Sequence, residues 1–298
     1  MPGYIGELAA VGTAFCWSLT AILFSYSGRR IGSNVVNRSR LVFALLWISL
    51  FHFYLQGSFL PIEAEPFRWG WLGLSSLLGL VLGDTALFYA YVHIGPRLSM
   101  LLMSLGPIIS TVAGRLLFDE VIAPLELGGI LLTLGGVSWV VTERRPGQTV
   151  IEEKQYGRGV AAGLVGATGQ SANLITAKYG LVGGFPTVSA TWIRLLVAAL
   201  ILWAVAAGRG QLRATFRQWR DGKAFRALLG GTVTGPFLGI WLSLVAVQLA
   251  RLGIASTLMA LPPVILIPVE YAIYRTGISK RAIAGTMLAF AGVALIFL

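Results

Sequence analysis

Apolar residues recur in long runs along the chain, and Gly, Pro and charged residues mark the breaks between them. A spanning helix needs roughly 20 mostly apolar residues. Reading for such runs predicts ten, near residues 5–27, 33–55, 69–92, 96–118, 124–142, 158–179, 187–208, 225–249, 253–275 and 280–298. The alternating segments of a membrane β-barrel are absent from the sequence, so the spans are read as helices, which satisfy their own backbone groups inside lipid. The first run carries Glu7 and has no basic segment ahead of it, unlike a cleavable signal peptide. Only the connectors 56–68, 143–157 and 209–224 are longer than a turn. The pattern therefore leaves no place for a separate soluble catalytic domain.

Composition points the same way. The chain is 56% hydrophobic and 12% charged, with a mean hydropathy of +0.78, whereas a soluble protein carries about 45–50% apolar and about 25% charged residues. Its 298 residues lack the polar side chains that two soluble domains would need at their surfaces. The apolar content excludes disorder, and the single Cys16 excludes a disulfide framework. A net charge of +11 would suit nucleic acid, but the basic residues sit in short connectors between apolar runs. Seventeen of the 23 Lys and Arg residues follow spans 1, 3, 5, 7 and 9, four lie on the opposite side, and Arg40 and Arg194 lie within spans. The positive-inside rule then puts the odd-numbered loops in the cytoplasm and both termini outside a cell (plasma or inner) membrane.

The chain also repeats itself. Shifted by 156 residues, Gly79-Leu-Val-Leu-Gly83 falls on Gly235-Pro-Phe-Leu-Gly239, Leu102-Met103 on Leu258-Met259, Leu105 on Leu261, and Pro107 on Pro263. Gly129 falls on Gly285 and Gly136-Val137 on Gly292-Val293, and with a shift of 154 Arg40-Leu41 falls on Arg194-Leu195. Each half holds five spans, an odd number, so the second half inserts upside down relative to the first. The fold class expected is an all-α polytopic membrane protein of ten transmembrane helices in two inverted five-helix repeats. Residues 1–145 form the first repeat, 146–157 a connecting loop and 158–298 the second repeat.

This pattern resembles the EamA family of the drug/metabolite transporter superfamily. The likeness rests on Trp17-Ser18 in span 1, Arg40 and Arg194 early in spans 2 and 7, and Pro107 followed thirteen residues later by Glu120. Gly129-x6-Gly136-Val137, repeated as Gly285-x6-Gly292-Val293, completes it. The resemblance implies a ten-helix transporter, usually an exporter of small metabolites, with a central cavity between the halves. It names no ligand. Thr276 stands where the first repeat has Glu120, so that acidic corner is not symmetric. Many members of the family are thought to keep both termini inside, opposite to the orientation that the charge bias gives here.

Charged side chains deep in a span cost roughly 2.5–3.5 kcal/mol on insertion scales, which singles out Asp84. It sits mid-span in Gly83-Asp84-Thr85, and its repeat partner is Ile240. It reads as a site for a substrate amine or a proton, or as a carboxylate bonded to a neighbouring helix or to Arg40. Glu270 is a second candidate acid, close to a span end. Arg40 and Arg194 either brace equivalent corners or bind a carboxylate. Candidate cavity residues are Trp17, Thr85, Phe88, Tyr89, Met103, Gln170, Asn173, Trp192, Trp241 and Met259, with Ser18, Ser99 and Ser256 as further small polar groups; as a set they suit an amphipathic organic solute. Asp84, Phe88 and Tyr91 share a helical face, as do Gln170 and Asn173.

Pro107 and Pro263 mark interrupted helices, and Gly79, Gly83, Gly235 and Gly239 suit close helix packing. His52 and His93 are scattered, and Glu7, Glu126 and Lys178 read as boundary charges. No nucleotide, metal or hydrolase motif occurs, so no enzyme activity and no cofactor is expected. The expected partners are a small-molecule substrate and the lipid bilayer, with no nucleic acid; coupling to protons through Asp84 and facilitated diffusion without a coupling ion are equally compatible with the sequence. The leading expectation is a secondary transporter that exports amino acids or other amphipathic metabolites by alternating access. A membrane channel or a non-transport integral membrane protein is the alternative.

Overall fold

The computed structural model describes residues 4–93, 99, 102–103, 105–141, 153–266 and 279–297. Every described secondary-structure element is helical. The first repeat holds α1 (Ile5–Ile31), α2 (Ser33–Gln56), a composite third span, α5 (Leu105–Phe118) and α6 (Pro124–Val141). The third span is α3 (Pro66–Ser76), a π-helical segment π1 (Leu77–Gly83) and α4 (Asp84–His93). The second repeat begins with α7 (Glu153–Gly180) and α8 (Thr187–Gly208), then the short α9 (Leu212–Gln218). Its composite span is α10 (Gly222–Thr232), π2 (Val233–Gly239) and α11 (Ile240–Leu249), followed by α12 (Leu252–Met259) and α13 (Lys280–Phe297). Among the described residues, five helices are long and apolar enough to cross a membrane by length and composition. The protein is an all-α, multi-pass membrane protein.

The burial pattern is that of a protein dissolved in lipid. Leu46, Leu50, Ile108, Val112, Leu116, Leu131, Leu200 and Phe290 are exposed. Thr13, Ser18, Asn37, Arg40, Ser75, Asn173, Thr191 and Arg194 are buried. Many interior hydroxyls are satisfied within their own helix, as Thr13 donates to Ala9 O (2.8 Å), Ser18 to Ala14 O (2.7 Å) and Thr191 to Thr187 O (2.7 Å). A single residue, Gly32, joins α1 to α2 at φ +88°, a backbone region that glycine enters without steric cost.

The internal repeat is exact at the irregular points. Leu77–Gly83 and Val233–Gly239 are the two π segments, and they are offset by the same 156 residues as the sequence match. Each carries the paired glycines, and π2 also contains Pro236, which lacks a backbone donor.

Equivalent helices meet each other head to tail. In α6 and α13, the Gly292 carbonyl lies 2.7 Å from where a Cβ on Gly129 would sit, and the Gly285 carbonyl 2.5 Å from a Cβ on Gly136. Gly129 is equivalent to Gly285 and Gly136 to Gly292, so each contact is the other turned by a two-fold rotation, and the helices run antiparallel. The same relation holds for α2 and α8. Trp192 donates Nε1–H to Ser49 Oγ (2.8 Å), and Trp203 donates to the Arg38 carbonyl (3.0 Å). With the offset of 154, Ser49 matches Trp203 and Arg38 matches Trp192, so these two bonds are symmetry mates. The topology is inverted, as expected from five spans per half.

The seven-residue glycine spacing is two helical turns and clears one face for close backbone approach. Gly136→Val places a branched side chain against Gly285 O and Ala289, and is expected to cost about 1–3 kcal/mol. Thermal unfolding in detergent checks it: Gly136→Val lowers the melting temperature by several degrees. Gly135→Ala, whose Cβ meets nothing within 4 Å, leaves it unchanged.

Candidate functional site: a buried charge network between the repeats

The first helix of each repeat crosses the composite span of the other, and the π-segment glycines make room for it. A Cβ on Gly79 would fall 2.5 Å from Asn173 Cγ, and one on Gly83 would fall 3.5 Å from Gln170 Nε2. In the crossing related to it by the two-fold, a Cβ on Gly235 would fall 2.6 Å from Thr20 Cγ2, and one on Gly239 would fall 2.7 Å from Trp17 Nε1. Trp17 is equivalent to Asn173 by the 156 offset. Two like seats thus hold unlike side chains: amides in one, an indole and a hydroxyl in the other.

From the amide seat a hydrogen-bonded chain runs through the interior. Asp84, the first residue after π1, accepts from Arg40 Nη2 at Oδ2 in an ion pair and from Gln170 Nε2 at Oδ1 (2.8 Å). Gln170 Oε1 accepts from Asn173 Nδ2 (3.1 Å). Asn173 Oδ1 accepts from Arg194 Nη2 (2.6 Å) and from Ser75 Oγ (2.7 Å). Arg40 Nε donates to Asn37 Oδ1 (2.9 Å), and Ser76 Oγ donates to the Arg194 carbonyl (2.6 Å). The spacing of three puts Gln170 and Asn173 on one face of α7, as read from the sequence, and their amides bond each other.

Asp84 lies nine residues before His93, the last described residue of α4, about 14 Å along the axis. Arg194 lies seven residues from the start of α8 at Thr187, about 10 Å from the opposite face. The chain therefore crosses the bundle between the two depths. Arg194 is 1% exposed, and its Nε and Nη1 have no hydrogen-bond partner. Among the described residues, the network holds two guanidinium groups and one carboxylate.

The other sequence candidates are dispersed. Trp192 is buried, bonded to Ser49 and set edge-on to Trp69 at 6.3 Å. Trp241 donates to Thr187 Oγ1 (3.0 Å) and meets Phe51 at 4.9 Å. Thr85 is exposed and donates to the Val81 carbonyl in its own span; Tyr89 is exposed too. Met103 is half-buried, and Met259 is buried at the end of α12. Pro107 lies buried in the first described turn of α5, and Pro263 follows a break in the helix at Ala260–Leu261. Glu270, Thr276 and the side chains of Phe88, Tyr91 and His93 lie outside the described residues. His52 is a structural group, bonded to Ser189 Oγ (2.8 Å) and the Ser58 carbonyl (2.5 Å).

The EamA-like transporter family model matches twice, over residues 4–142 and 157–298. The chain belongs to the EamA-like transporter family. No curated protein matches the sequence. Among the solved structures that match, one titled only "Crystal structure of protein" superposes with a TM-score of 0.79 over 97% of this chain and 95% of its own. Its 17% identity shows a shared fold alone.

Within the family pattern, Glu120 acquires a physical role. It pairs with Lys178 Nζ and accepts from Leu252 N (2.7 Å), the first amide of α12, where a carboxylate complements the helix N-terminus. Asp119, at φ +52°, turns the chain to aim it there. Beside it Glu126 pairs with Arg251, which also donates to the Val121 carbonyl (2.7 Å). Lys178 and Glu126 are therefore more than boundary charges: both join one repeat to the other on the face of the even-numbered loops.

Sequence reasoning missed Asn37, Ser75 and Ser76, which carry no signal that separates them from the many other hydroxyl and amide residues of the spans. A buried pair is costly to break on one side only, by about 3–5 kcal/mol. Arg40→Met and Asp84→Leu are each expected to lower the melting temperature sharply, and the double variant Arg40→Met with Asp84→Leu to recover much of the loss. A double-mutant cycle of unfolding temperatures reads the coupling; additive effects would mean the two side chains do not pair.

Proposed function

We propose that this EamA-family protein is a secondary transporter that exports a small organic solute between its two repeats. Transport proceeds by alternating access, with the Arg40–Asp84–Gln170–Asn173–Arg194 chain at the crossing point. One observation carries this reading: a chain of charged and amide side chains, costly in lipid, lies buried or half-buried where inverted repeats meet. Inverted repeats that swing against each other around a midplane site are a common transporter design.

The partners are a small-molecule substrate and the lipid bilayer, with protons as coupling ion through the Asp84 carboxylate. Protonation of Asp84 would remove the counter-charge that holds Arg40 and so loosen the contact between α2 and α4. The proposed location is the plasma or inner membrane. The termini lie outside, because the basic odd-numbered loops favour the cytoplasm. No separate catalytic role is assigned to any residue.

The test is solute release from cells that overproduce the protein, followed by flux in reconstituted vesicles. Wild type is expected to release at least one small organic solute above the empty-vector level. Asp84→Asn, compared at equal membrane abundance, is expected to reduce that flux at least tenfold and to flatten its pH dependence. Absence of solute flux in cells and vesicles alike would overturn the transporter reading. Unchanged flux and pH dependence in the variant would remove Asp84 from the coupling role.

A further inference from the structure

Asp84 is the acid that most invites a cationic substrate, yet both of its oxygens are already engaged, one by Arg40 and one by Gln170. The under-partnered charge of the network lies at its other end. Arg194 is 1% exposed, and of its three guanidinium nitrogens only Nη2 is bonded, to a neutral amide oxygen. Buried donors left unmade are costly, more so when charged.

The repeat shows what sets the two arginines apart. Arg40 and Arg194 are equivalent, but the acid that serves Arg40 has Ile240 as its counterpart, a buried apolar side chain. The second repeat therefore holds the cation of the pair without the carboxylate. With Arg40, Arg194 and Asp84 charged, these three groups together carry one surplus positive charge in a low-dielectric interior. A bound anion would neutralise it.

We propose that Arg194 is the anchor for an acidic group on the transported solute, so that the substrate class is a small organic carboxylate. Asn173 and Ser75 position the guanidinium, and the solute's carboxylate accepts from Nε and Nη1. This rests on the transporter reading above. A solute whose acid group is replaced by a neutral amide offers an additional N–H to a site already rich in donors. Discrimination between acid and amide follows from loss of the charge-assisted hydrogen bonds, about ten- to a hundredfold in affinity.

The test uses the full-length protein in nanodiscs and a panel of small aliphatic and aromatic carboxylates, amino acids included, each paired with its own carboxamide. Thermal stabilisation is measured for both members of each pair. In wild type, at least one acid is expected to raise the melting temperature where its amide does not. Arg194→Gln abolishes that preference, and Arg194→Lys keeps it at reduced affinity. Asn173→Asp provides a second variant that does not depend on removing the arginine. It sets a carboxylate against Arg194 from within the protein and is expected to erase acid binding while the fold persists. Arg220→Gln, on the exposed loop after α9, leaves the preference intact.

The proposal is overturned if no acid outperforms its amide in wild type, or if Arg194→Gln or a folded Asn173→Asp keeps the preference. Flux in vesicles separates the two readings. Equal transport of acids and amides would retain the transporter and overturn the acid anchor. Acid-selective stabilisation abolished by Arg194→Gln, with no flux of any solute, would retain the anchor and overturn the transporter.

Discussion

The antiparallel pairing of equivalent helices is the constraint on which the rest of the structure depends. Lipid provides no hydrophobic drive between helices, so association rests on close packing and on interhelical hydrogen bonds. The α6–α13 contact satisfies the first requirement, with glycines at 129, 136, 285 and 292 that bring carbonyls within van der Waals reach. The α2–α8 contact satisfies the second through the indole bonds of Trp192 and Trp203. Because each contact is its own mate under the repeat, an approximate two-fold axis runs between the halves. Such an arrangement gives two related packings of similar energy, the physical requirement for the alternating access proposed here.

Function would then reside where the chemistry departs from the symmetry. The two π segments occupy equivalent positions with their glycines aligned, and each provides glycine seats for the first helix of the opposite repeat. One seat takes Gln170 and Asn173, the other Trp17 and Thr20. Asp84 follows one π segment and Ile240 the other. A symmetric scaffold with an asymmetric charge distribution presents different groups to a solute on the two sides of the midplane. Arg40, nearer the odd-numbered loops, pairs directly with Asp84; Arg194, nearer the even-numbered loops, bonds only to a neutral amide oxygen.

Much of this was legible in the sequence because the lipid environment simplifies it. Charges and amides inside apolar runs are few and costly, so Arg40, Asp84, Gln170, Asn173 and Arg194 stood out and are joined by the structure. The 156-residue offset in the sequence marks the equivalent glycines and, with five spans per half, the inverted topology. The aromatic candidates were less legible. Trp192 and Trp241 bond to Ser49 and Thr187 away from the network, because an indole in a membrane protein serves packing as readily as a cavity wall. The Glu120–Lys178 and Glu126–Arg251 pairs were hidden too. Each charge sits at the end of a helix, where solvation would suffice, and its partner lies on a different repeat.

The central claim is that the repeats move against each other during transport. The α5–α12 contact on the face of the even-numbered loops allows a direct test. A Cβ built on Gly114 lies 3.6 Å from Leu252 Cβ, within the separation of about 3.5–4.5 Å that a disulfide spans, and 2.5 Å from Glu120 Oε2, so the Glu120 carboxylate shifts aside and the flux before oxidation is the reference. The chain's single cysteine, Cys16, is replaced by serine, and Gly114→Cys is combined with Leu252→Cys. Solute flux is measured in vesicles before oxidation, after oxidation and after reduction. Flux that disappears on cross-linking and returns on reduction is the result predicted here. Undiminished flux through a fully cross-linked protein would contradict the account.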